Sequence, residues 1–204
     1  IASQRLQHRV EIVSAGLGGA IRAWGDYRNG GSDIYAQRVD AAGNIMWTPN
    51  GHGVRVGFGV DDYSQSMVPD GAGGMIFAYQ LQPFGSPNFD VYAQHVDASG
   101  NLLWAPPLGR PVVTLPGSRQ FSPRVISDGA GGTIINWFDN RNGNYDIFAQ
   151  RLDPTGNPLW TLDGVPICNA PGLQGVSVNP ALDSKTVDLI PDGAGGALAA
   201  WHDF

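Results

Sequence analysis

The chain has 204 residues and a mass of 21.6 kDa, with 12 basic against 18 acidic side chains and a formal net charge of −6. It is 42% hydrophobic, enough to bury a core in one domain, but only 15% charged, against about 25% in an average soluble domain. The acidic balance and scattered arginines exclude a nucleic-acid surface, which needs a basic patch. No apolar stretch reaches the roughly 18–20 residues of a membrane-spanning helix.

The residue types also bear on fold class. The acids are 17 Asp and one Glu (Glu11), and the bases are 11 Arg and one Lys (Lys185). Glu and Lys favour helix, whereas Asp and the 29 Gly favour turns. An all-β chain with almost no helix is expected. Cys168 stands alone, so no internal disulfide forms, and a buried thiol is its simplest role. The chain starts at Ile1 without an initiator Met or a signal-peptide pattern, which reads as a processed product or a fragment.

Four stretches of the chain repeat one another. A Gly-Gly pair ends at Gly19, Gly74, Gly132 and Gly196, and five residues later stands Trp24, Tyr79, Trp137 or Trp201. Asp-Ile-Tyr-Ala-Gln (Asp33 to Gln37), Asp-Val-Tyr-Ala-Gln (Asp90 to Gln94) and Asp-Ile-Phe-Ala-Gln (Asp146 to Gln150) follow. Each runs into Asp-x-x-Gly-Asn-x-x-Trp, ending at Trp47, Trp104 and Trp160, 57 and 56 residues apart. The repeats span approximately 7–61, 62–117 and 118–172, with a partial fourth over 173–204 that carries an insertion near Leu173 to Val187.

Each repeat holds four strand-like pieces. The first precedes the glycines, as in Pro123 to Ser127. The second is apolar at consecutive positions, as in Met75 to Tyr79 or Thr133 to Trp137, so both of its faces are covered. The third is the Asp-Ile-Tyr-Ala-Gln piece, and its aromatic and β-branched residues suit a pleated surface. The fourth carries the second Trp and runs on to Val54-Arg-Val56, Pro111 to Thr114 or Val165 to Cys168. Between the last two pieces, Asp153-Pro-Thr-Gly156 places Asp, Pro and Gly where a type I turn wants them.

Four short strands per repeat of this length make a β-propeller blade, which buries its faces only against neighbours. The expected fold is a propeller-like array of four-stranded antiparallel blades, three full repeats plus a split or partial fourth. The Asp-x-x-Gly-Asn-x-Leu-Trp endings resemble the hairpin ends of quinoprotein-type propeller repeats. The full pattern more closely resembles tandem repeats of large secreted or surface proteins of bacteria. The quinone-binding residues of quinoproteins have no counterparts here, so the resemblance implies no cofactor. Ile1 to Leu6 resembles Ile147 to Leu152, so the N-terminus is a candidate strand for the unfinished fourth blade, closing a four-bladed ring. The competing reading is a piece of a longer propeller.

The loop after the second strand is the most chemically suggestive piece. It reads Asp26-Tyr-Arg28-Asn-Gly30-Gly-Ser-Asp33 in the first repeat and Asp139-Asn-Arg141-Asn-Gly143-Asn-Tyr-Asp146 in the third. Spaced Asp residues with Gly can bind Ca²⁺, but an Arg stands where an oxygen ligand is needed and repels the cation, so no metal is assigned. Asp26, Arg28, Asp139 and Arg141 are the candidate ligand-binding residues, against the reading that each Arg ties its own loop to a neighbouring Asp. The second repeat lacks the pattern (Gln80-Leu-Gln-Pro-Phe84). Trp24, Trp137 and Trp201 either line a sugar site or fill the core between blades. Gln37, Gln94 and Gln150 recur in register, as buried amides serving nearby backbone. The four histidines lack metal spacing, and no catalytic triad or zinc-protease pattern is present. The expected function is a noncatalytic, extracellular or cell-surface binding module for a protein or polysaccharide partner. A propeller glycosidase, lyase or lectin is the alternative, and a structural segment of a larger surface assembly is a third reading.

Overall fold

The structure is a computed structural model and describes residues 7–57, 61–83, 85–172, 174 and 187–201. It is all-β, with no helix among the described residues. The first blade comprises β1 (Gln7–Gly16), β2 (Gly19–Asp26), β3 (Asp33–Val39) and β4 (His52–Arg55). The second comprises β5 (Asp61–Pro69), β6 (Met75–Gln82), β7 (Asp90–Val96) and β8 (Arg110–Val113). The third comprises β9 (Gln120–Ser127), β10 (Thr133–Asp139), β11 (Asp146–Leu152) and β12 (Val165–Cys168). A fourth sheet holds β13 (Asp188–Pro191) and β14 (Ala197–Ala200) alone. Every full blade is antiparallel with its strands in sequence order, so each is a meander.

The second strands are the most deeply covered, as consecutive apolar residues require. Every residue of β10 is buried, and all of β6 except its last. First strands pack on one another, β1 on β5, β5 on β9 and β9 on β13, which sets the order of the blades. The core therefore lies in the seams between blades. Ile21, Ile34 and Trp47 of the first blade pack with Met75, Phe77 and Tyr79 of the second. Ile76, Ala93 and Trp104 of the second pack with Ile135, Trp137 and Leu152 of the third. Phe121, Phe138 and Ile147 of the third meet Val187, Ala199 and Trp201. Each fully buried large side chain contributes about 1.5–3 kcal/mol by leaving water. A lone blade, with both faces wet, would forgo that contribution.

Polar contacts across the seams repeat as well. The only glutamate, Glu11, accepts from the Met67 backbone N–H at 3.1 Å, and Ser66, its counterpart one blade on, accepts from Val125 N–H at 3.2 Å. Burial pushes the Glu11 carboxyl up, while that N–H and the charge of Arg124 oppose the rise.

Three local expectations are refined. The type I turn is present: Gly156 N–H donates to Asp153 O at 2.9 Å, and the Asp153 carboxylate accepts from Thr155 and Asn157 N–H. The second Trp precedes the fourth strand instead of lying in it. After the turn the chain makes one isolated bridge, such as Val39 to Ile45, then leaves the ladder and rejoins at His52. The glutamines hold this excursion. Gln37, Gln94 and Gln150 accept the N–H of Trp47, Trp104 and Trp160, and Gln37 and Gln150 also donate to Thr48 and Thr161 carbonyls. Cys168 is free and half-buried, not buried, because β12 is an outer strand. The closing strand expected of residues 1–6 lies outside the described residues, as do His202 to Phe204 and most of the expected insertion.

Candidate functional site

The loops joining second to third strands all emerge at one end of the blades, because antiparallel strands alternate direction. In the first blade the ladder closes on Asp26 opposite Asp33, and in the third on Asp139 opposite Asp146. All four carboxylates are buried at the mouth of their hairpins.

Within the first loop, Arg28 Nη2 lies 2.6 Å from Asp26 Oδ2, and the Arg28 backbone N–H donates to Asp26 Oδ1 at 2.9 Å. Trp24 Nε1 donates to Asp26 Oδ2 at 3.3 Å. The guanidinium also stacks over Tyr35, 3.8 Å from its ring centre. The Arg28 hydrogen bond holds the Asp26 carboxyl below its ordinary value against the opposing effect of burial. The third loop repeats this. Arg141 Nη2 lies 2.5 Å from Asp139 Oδ2, Trp137 Nε1 donates to the same oxygen at 3.0 Å, and the guanidinium sits 3.9 Å over Phe148. Arg141 also donates to Asp163 O at 2.9 Å.

Asp26 is thus joined to Arg28, and Asp139 to Arg141, inside their own blades. Asp33 and Asp146 are held instead by asparagines: Asn29 Nδ2 donates to Asp33 Oδ2 at 2.9 Å, and Asn142 Nδ2 to Asp146 Oδ2 at 2.7 Å. Among the described residues no group of three or more His, Cys, Asp or Glu side chains could hold a metal ion. Trp137 is buried in the core and Trp24 is nearly so, which leaves neither ring face open to a sugar.

The sequence did not reveal a polar seam linking the second and third blades at this end. Arg119 stacks over Phe89 with its guanidinium 4.6 Å from the ring centre, and its backbone N–H donates to Asn140 Oδ1 at 2.6 Å. Gln120 Nε2 reaches Ser118 Oγ at 2.7 Å and Asp139 Oδ1 at 3.4 Å. Arg119 lies in the connection between blades, which varies from one to the next, and Gln120 opens β9 opposite Asp139, the position Gln7 holds opposite Asp26 in β1. In the second blade, Leu81 and Pro83 stand where the first and third blades have Asp and Arg. Asp90, the counterpart of Asp33, loses its asparagine donor there, and burial pushes its carboxyl up to about 6.

The sequence matches no protein-family profile and no curated protein. Among solved structures it is similar to an endo-arabinase from Bacteroides thetaiotaomicron VPI-5482, at 15% identity over 95% of this chain and 69% of that one, with a TM-score of 0.52. At that identity the likeness is one of fold, and it agrees with the propeller-like array. No helix among the described residues is long and apolar enough to cross a membrane, a statement that does not extend to strands.

Proposed function

We propose that the chain is a noncatalytic binding module of the cell exterior, and that it takes a polysaccharide on the loop end of its blades. The observation that carries this reading is the fixation of Arg28 and Arg141. Each guanidinium is clamped between its own aspartate and an aromatic ring, yet its side chain stays 23% or 19% exposed. A donor already held in place loses little conformational freedom on binding, so more of its hydrogen-bond energy appears as affinity. Beside these arginines stand Tyr27, which is 38% exposed, and Asn29, Asn140 and Asn142, side chains suited to sugar hydroxyls. The fold likeness to an endo-arabinase supports a carbohydrate over a protein ligand. Asp26, Arg28, Asp139 and Arg141 then act as a pair of fixed contacts, the aspartates positioning the arginines. The test is retention on immobilised polysaccharides, arabinan included. Retention that Arg28→Lys and Arg141→Lys weaken supports the reading, and no retention on any of them sinks it.

A second reading is a propeller glycosidase, and Asp90 favours it. A carboxylic acid pushed up to about 6 suits a general acid working near neutral pH. Release of reducing ends from arabinan, abolished by Asp90→Asn, would replace the binding reading.

A further inference from the structure

We propose that the edge of β14 that no described strand pairs is a docking site for a β-hairpin bearing the repeat's own signature, third strand, Asp-x-x-Gly turn and all, supplied by a further repeat of this kind. Three features of that edge match three features of the hairpin.

The first is the strand itself. Among the described residues β14 pairs with β13 only, whereas β2, β6 and β10 at the same position are flanked on both sides. Leu198 is 60% exposed, while its counterparts Ile21, Ile76 and Ile134 are at most 1% exposed. Unpaired backbone of this kind recruits an added strand.

The second is Trp160. Trp47 Nε1 donates to Ala98 O at 3.0 Å, and Trp104 Nε1 to Pro154 O at 3.2 Å, each reaching the turn of the next blade. The rings slide under Gly100 and Gly156, and both are buried. Trp160 is the third member of the series, but it is only half-buried and meets no such turn among the described residues.

The third is Asp192. Its Oδ1 accepts from Ala194 and Gly196 N–H, just as Asp128 Oδ1 accepts from Ala130 and Gly132 N–H. Asp128 Oδ2 binds Arg151 Nη2 at 2.8 Å, and Asp70 Oδ2 lies 3.0 Å from His95 Nε2, both basic side chains lying on third strands directly after the glutamine. Asp192 has no such basic side chain among the described residues. A docked hairpin would bring one opposite Leu198, since Arg151 pairs with Ile134. Residues 1–6 offer Gln4 and Arg5, but β1 begins at Gln7 without an Asp-x-x-Gly turn, so they lack what Trp160 requires.

The test uses a dye-labelled peptide with the sequence of Asp146 to Trp160, titrated into the full chain and followed by fluorescence anisotropy. Saturable binding is expected. Trp160→Ala in the protein should weaken it at least about thirtyfold, as loss of a central Trp does. Asp192→Asn should weaken it roughly fivefold, and Gly156→Ala in the peptide should weaken it too. Asp192 is exposed and Trp160 half-buried, and a circular dichroism melt verifies that both variants fold. Absence of saturable binding, equal binding of a scrambled peptide, or binding indifferent to Trp160→Ala and Asp192→Asn would overturn the proposal. So would binding that appears only after deletion of residues 1–6, since that result assigns the edge to the chain's own N-terminus.

Discussion

The indole N–H of Trp104 leaves the second blade and donates to the carbonyl oxygen of Pro154 in the third, at 3.2 Å. Ala98, which accepts from Trp47, occupies the same place in its own turn, one residue after the opening Asp. The repeat thus carries its own fastener, a Trp at the end of one hairpin and a glycine turn in the next. The physical requirement falls on both halves, because the ring needs a turn without a Cβ above it.

Trp104 is 2% exposed within the seam. Trp104→Ala should therefore cost about 3–5 kcal/mol of folding stability, read as a lowered urea midpoint. Trp160, half-buried, should cost clearly less when truncated. Equal losses for the two would contradict the fastener.

Gly156 has φ +83°, and a Cβ on it would meet Trp104 Cδ2 at 2.9 Å. Gly43, at φ +82°, has open space around the same atom. Both Ala variants carry the left-handed backbone penalty of about 1–2 kcal/mol, but only Gly156→Ala also displaces the ring. Its melting temperature should fall further than that of Gly43→Ala, and the difference isolates the packing contribution.

As a surface pair, Arg141 and Asp139 would be worth only about 0–1 kcal/mol. The structure buries the Asp139 side chain completely, so Arg141→Ala strands a charge. The expected loss is about 3 kcal/mol, near the value for breaking a buried pair. Adding Asp139→Asn should recover part of it. Because Arg141 occupies the carboxylate, EDTA and millimolar calcium should leave the wild-type melt unchanged. A calcium-dependent rise that vanishes in Asp139→Asn would show these loops to be metal sites.

Asp90 gives a pH dependence of the opposite sign to that of an ordinary acid. Its folded value of about 6 lies above the unfolded value of 3.8, so the native state holds more proton between the two. Stability falls as pH rises through that window. The full linkage of about 3 kcal/mol is reduced by partial solvent access, to roughly 1–2 kcal/mol. Asp90→Asn should raise the melting temperature at pH 7.5 by several degrees and leave it unchanged at pH 3.5. Asp26 runs the other way. The Arg28 hydrogen bond lowers its pKa, so its contribution is present above the ordinary carboxylate value and lost as pH falls below it.

Sequence by itself determined the repeat, the four strands of each blade, the hairpin turns and the Asp–Arg option in the loops. These are short-range facts: a glycine turn, an alternation or a pair two residues apart is written in adjacent positions, and the threefold recurrence separates it from chance. It also marked Trp47, Trp104 and Trp160 as equivalent. Tertiary structure alone decided that the first two are capped by the next blade and the third is not. It placed Arg119 between Phe89 and the Asp139 loop, and it raised Asp90 by burying its carboxyl. Burial and contacts across a seam depend on which residues, some fifty positions apart, come to face each other. That pairing is set by how blades pack, which no local pattern encodes.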